Sequence, residues 1–98
     1  MIVRLSFVKS PPEKIEEAKD IWDNQVASAL KKQKGFKGAY RAASLETPGE
    51  GVTIQFWESK EDLAAWHSSK GYQELVGRLQ PLMVELPATM LYEVTTEI

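Results

Sequence analysis

The stretch Ile2-Val3-Arg4-Leu5-Ser6-Phe7-Val8-Lys9-Ser10-Pro11-Pro12-Glu13 holds the transition on which the fold turns. Over 2–8, Val3, Leu5 and Phe7 alternate with Arg4 and Ser6, the period of two that marks a β-strand with one apolar face. Ser10 then offers an N-cap hydroxyl, prolines follow where no amide donor is needed, and Glu13 stands at the third helical position. The segment therefore predicts a strand and, directly after it, the start of a helix.

Working outward, Ile15, Ala18, Ile21 or Trp22, Val26 and Ala29 or Leu30 keep one apolar stripe at helical spacing. Glu13, Glu16 and Glu17 lie at its start and Lys31, Lys32 and Lys34 at its end, as the helix dipole prefers, and Gly35 is placed to stop it. Residues 36–45 read as a strand with a wet face at Lys37 and Arg41. Residues 46–51, with Pro48, Gly49 and Gly51, read as an exposed turn. Val52, Ile54 and Phe56 alternate with Thr53, Gln55 and Trp57, which predicts a hairpin with the preceding strand.

Ser59, with Asp62 three residues on, caps a further helix. That helix carries Leu63, Trp66 and the lone His67, breaks around 68–71, and resumes with Tyr72, Leu75, Val76 and Leu79 until Pro81 ends it. Residues 89–96 alternate again. The order is β-α-β-β-α-β, which predicts an α+β ferredoxin-like antiparallel sheet with helices on one face, in a single domain over 1–98.

Composition narrows the function. The 98 residues have a hydrophobic share of 43% and carry 14 acids against 12 bases, with no basic tract, so nucleic-acid binding is disfavoured. Cysteine is absent, which removes disulfides and thiolate chemistry and fits a cytoplasmic protein. Neither a targeting segment nor a membrane span is expected. No Gly-rich phosphate loop, no pair of histidines at metal spacing and no Ser/His/Asp set is present.

A sheet covered on one side has a second face. If Val3, Leu5 and Phe7 face the helices, the other face still carries Ile2, Val8 and either Trp57 or the Val52, Ile54 and Phe56 set. Large apolar surface left uncovered calls for a partner, and sheet-to-sheet pairing predicts a homodimer through the open face.

Residues 56–73, Phe56-Trp57-Glu58-Ser59-Lys60-Glu61-Asp62-Leu63-Ala64-Ala65-Trp66-His67-Ser68-Ser69-Lys70-Gly71-Tyr72-Gln73, resemble the strand-to-helix signature of the antibiotic biosynthesis monooxygenase family, as do Gly35-Phe36 and the element order. The resemblance implies a dimeric α/β barrel with a pocket between sheet and helices in each subunit. It also implies cofactor-independent oxidation of an electron-rich aromatic or quinol-type molecule, without metal. A haem-degrading branch of similar fold has a strand-one asparagine, a tryptophan in the helix after strand three and a histidine about ten residues on. Of these only the tryptophan carries over, as Trp66: the one asparagine is Asn24, and Val76 stands where the histidine would be.

Candidate site residues are then Trp66, His67, Tyr72 and Arg4. Indole and phenol rings make flat apolar walls with one donor each, and equally serve as core. His67 points about 100° away from Trp66 on a regular helix, as a partly exposed helix residue or as a base or ligand. Arg4 holds an enolate or phenolate if its face looks into a cavity. The preferred reading places that face across the dimer and pairs Arg4 with Glu93. A non-catalytic dimeric module binding a small apolar ligand, or a stress-associated one, is the alternative to an enzyme.

Overall fold

Ile2–Lys9 forms β1, and the sheet is built around it: β3 (Glu50–Trp57) pairs on one side, β4 (Ala88–Glu93) on the other, and β2 (Phe36–Ala43) pairs with β3. All pairings are antiparallel and the order is β2-β3-β1-β4, the ferredoxin-like arrangement expected. The structure is a computed structural model describing all 98 residues. One face carries α1 (Ile15–Ile21), a π-helical turn (Trp22–Val26) and α2 (Ala27–Lys31), followed later by α3 (Lys60–His67) and α4 (Lys70–Leu79).

Several local signals act as their chemistry requires. Ser59 caps α3 by accepting from the Asp62 amide at 3.1 Å, and Ser69 caps α4 by accepting from the Tyr72 amide at 3.1 Å. Gly35 adopts φ +82°, and the Asp62 side chain occupies the space a Cβ there would need, so this turn admits glycine alone. At the first helix the expectation fails in detail. Ser10 makes no cap: its amide donates to the Gly49 carbonyl at 2.7 Å, and the chain enters a 3-10 turn (Pro12–Lys14) from Pro11 without a side-chain cap. Two consecutive prolines set the entry angle in its place.

The register resolves which side chains share a face. Towards the helices lie four cross-strand rows: Phe36, Trp57 and Ile2; then Ala39, Gln55, Arg4 and Leu91; then Arg41, Thr53, Ser6 and Thr89; then Ala43, Gly51 and Val8. The two middle rows are polar on the inner strands; the first is apolar and carries the largest side chains. With Val26, Leu30, Leu63, Trp66 and Leu75 it makes the core, in which Trp57 is fully buried and stands edge-on to Phe36 at 5.4 Å.

The opposite face carries Phe56, Val3 and Tyr92; Tyr40, Ile54, Leu5 and Met90; and Ala42, Val52, Phe7 and Ala88. The strands are thus turned over relative to the arrangement in which Val3, Leu5 and Phe7 meet the helices. The apolar set faces outward, with Phe7 47% and Tyr40 66% exposed, and the polar set faces inward. No helix is long and apolar enough to cross a membrane.

Candidate functional site: a cavity over the polar rows

Because the two middle rows present arginines, hydroxyls and an amide to the helices, the helices cannot close onto them as they close onto Trp57. A cavity of about 340 Å³ remains there, open at one side. Its floor is Arg4, Ser6, Thr53, Gln55 and Arg41; its walls include Trp22, Trp66 and Tyr72, with Leu75 and Leu79 beside them. No Asp, Glu or Lys lines it. That volume lies within the range of small-molecule sites, and an apolar wall facing a few convergent polar groups is their usual composition.

Part of the floor is internally satisfied. Gln55 Oε1 accepts from the Trp57 indole N–H at 3.0 Å, and the Ser6 and Thr89 hydroxyls lie 3.2 Å apart across β1 and β4. Arg4 is not. It sits on the central strand, is nine-tenths buried, joins no ion pair, and its Nε is shielded from solvent without a hydrogen-bond partner. Burial holds its pKa below the usual arginine value, with Tyr72 opposing the shift, yet a guanidinium stays charged at any ordinary pH. The pairing with Glu93 is not formed: Arg4 stands opposite Leu91, Glu93 stands opposite Ile2, and Arg4 points under the helices, away from the open face. The alternative reading, with Arg4 in a cavity, is the arrangement observed.

The structure brings the four sequence candidates together, though in two ranks. Trp66 is buried, lines the cavity and meets Tyr72 edge-on with ring centroids 5.5 Å apart. Tyr72 lines it as well. His67 does not; its ring lies against Tyr72 at 4.7 Å, and its buried Nε2 has no partner. Burial first, and the Arg4 charge second, push the His67 pKa below its ordinary value, so the imidazole is neutral near pH 7. Asn24 hydrogen-bonds to Asp20 on the exposed side of the first helix, and Val76 presents an aliphatic side chain to the cavity. No group of three His, Asp or Glu side chains is placed to hold a metal ion.

Two cavity residues escape the candidate set. Arg41, expected on a wet face, reaches the floor from β2 because that strand is turned over with its neighbours. Trp22 reaches the wall through the π-helical turn that begins at it. A π turn inserts one residue and rotates everything beyond it, and the only trace in the sequence is the ambiguity between Ile21 and Trp22 on the apolar stripe.

The state of His67 carries a consequence for stability. The unfolded chain protonates this imidazole near its ordinary value of about 6.5, the folded chain only at lower pH. Between those values the unfolded state binds more protons, so this contribution is complete above about pH 6.5 and is lost as pH falls through it. Urea unfolding of wild type and His67→Gln from about pH 7.5 to 5 should show the difference moving in the variant's favour on acidification. A difference independent of pH would contradict the placement of His67.

Comparison with known proteins bears on this site. No curated protein shows significant similarity to the sequence. Among solved structures, a conserved protein from Methanosarcina mazei Go1 is similar with a TM-score of 0.84 at 19% identity, covering 93% of this chain and 89% of that one. SnoaB, described as a cofactor-independent oxygenase from Streptomyces nogalater and solved as a point mutant, gives 0.86 at 13% identity, covering 99% and 95%. A Mycobacterium tuberculosis protein gives 0.85 at 14%, covering 98% and 96%. At such identities these likenesses establish the fold. The profile described as antibiotic biosynthesis monooxygenase matches residues 1–78, from β1 through the first helical segment, the hairpin and α3 into α4, and the chain accordingly belongs to that family.

Proposed function

We propose that this protein is a cofactor-independent monooxygenase acting on a small electron-rich aromatic of quinol or anthrone type, bound in the cavity over Arg4. The observation that carries the reading is a buried, unpaired guanidinium facing aromatic walls with no acid among the lining residues. Such a site binds the anion of a phenol or enol better than the neutral form. It therefore favours the proton loss that makes the ring electron-rich enough to react with dioxygen. Membership of the family and the likeness in fold to a cofactor-independent oxygenase support the same reading.

The reaction needs no external reductant. The anion passes one electron to dioxygen, and the resulting pair combines into a carbon-bound peroxide. For a ring methylene, loss of water then leaves a carbonyl: one oxygen atom stays on carbon, the other leaves with two hydrogens, and the substrate supplies all four electrons. Arg4 holds the anion, Trp66 and Tyr72 sandwich or edge the ring and exclude water, and neutral His67 positions Tyr72 from behind.

The working unit is a homodimer. The outward sheet face offers a nearly continuous apolar surface, including Val3, Leu5, Phe7, Ile54 and Phe56, and a second copy of the same face is its natural complement.

Two measurements test this. Oxygen uptake with a panel of anthrones and naphthoquinols should exceed background with wild type and fall at least about tenfold with Trp66→Ala. Uptake at background across the panel, with aromatics still bound, would instead indicate a binding module. Analytical ultracentrifugation at micromolar concentration should give a dimer that Phe7→Glu converts to monomer. A wild-type monomer would refute sheet-to-sheet pairing.

A further inference from the structure

The cavity contains not one unpaired cation but two. Arg41 reaches the floor from β2 while Arg4 reaches it from β1, with β3 between them and the intervening side chains Thr53 and Gln55 uncharged. Neither arginine takes part in any of the molecule's ion pairs, which are all formed by surface lysines. On the helix side the charge of Arg41 reaches Lys19, which is itself cationic and is engaged by Asp23. Two inter-strand spacings of roughly 4.8 Å and an offset of two residues along the strands separate the backbone positions of the arginines, so a ligand with two separated anionic groups can meet both. Arg4 lies deep and Arg41 is only half-buried.

We propose that the substrate is an aromatic acid: a phenolic ring system carrying a carboxylate at its far end, with the ring oxygen at Arg4 and the carboxylate at Arg41. Two guanidiniums without a counter-ion repel each other and each costs free energy to desolvate. A ligand with one permanent and one incipient negative charge answers both. The planar fork of a guanidinium matches a carboxylate with two parallel hydrogen bonds, which fits the half-buried arginine for the group that remains ionised in solution. Trp22 and Trp66 supply the apolar walls between these ends. Arg41 thereby becomes a specificity-determining residue. It acts on which ring enters, while Arg4 acts on how readily that ring loses its proton. This inference rests on the cavity being the substrate site, but not on turnover.

Binding of 6-hydroxy-2-naphthoate and of its methyl ester, measured by isothermal titration calorimetry under nitrogen, separates the two claims. Wild type should bind the acid at least about tenfold more tightly than the ester, the scale of one charge-assisted contact. Arg41→Gln should remove most of that preference while leaving ester affinity within about twofold, and Arg41→Lys should restore part of it. Equal affinity for acid and ester in wild type would overturn the proposal, as would a preference that survives Arg41→Gln. Acid-selective binding without oxygen uptake from any aromatic acid would leave the recognition intact and refute the oxygenase reading. Oxygen uptake indifferent to the carboxylate would do the reverse.

Discussion

A guanidinium buried on the central strand with no anion to meet it is the constraint around which the rest of this molecule is arranged. Arg4 cannot shed its charge, and its stem is held in the middle of the sheet by pairing on both sides. The helices must stand off it, and the space they leave is the cavity. The apolar packing that would ordinarily fill the layer between sheet and helices is concentrated at the Trp57 end, where Leu30, Leu63 and Trp66 close over the first row. The outward face holds the alternate side chains of the same strands and inherits the hydrophobicity that the inner face gives up. Cavity and open apolar face are two results of one choice of register.

This explains how much was legible in the sequence. Element order, the hairpin, the Ser59 cap and the Gly35 stop rest on local chemistry and stand in the structure. Strand alternation states which residues share a face, but it does not state which face the helices cover. The usual rule, apolar inward, gives the wrong answer for Val3, Leu5 and Phe7. Arg4 was therefore visible as a candidate while its surroundings were not, and the pairing with Glu93 followed from the same inversion. Arg41 was hidden for the same reason. Trp22 was hidden by a π turn, which no periodicity of side chains specifies. Trp66 and Tyr72 were legible through the family signature, but the lining of the cavity by both rings needed the second helix break at Ser69 to be seen as a cap.

His67 illustrates a further limit of residue type as a guide. The only imidazole in the chain invites a catalytic role, yet it lies one side chain away from the cavity, kept neutral by burial and by the arginine beyond it. Its ring packs against Tyr72. The groups that face the cavity are instead two cations and several aromatic rings, a set suited to binding a planar anion.

The account stands on Arg4 being held for a ligand at the expense of the folded state, as residues at functional sites often are. Its thermal stability against Arg4→Met, both without ligand, tests this most directly. Methionine fills similar space without charge, so the variant should melt at the same temperature as wild type or higher. A variant that melts more than about 5 °C lower, roughly 1 kcal/mol for a chain of this length, would show that Arg4 supports the fold and would contradict the account.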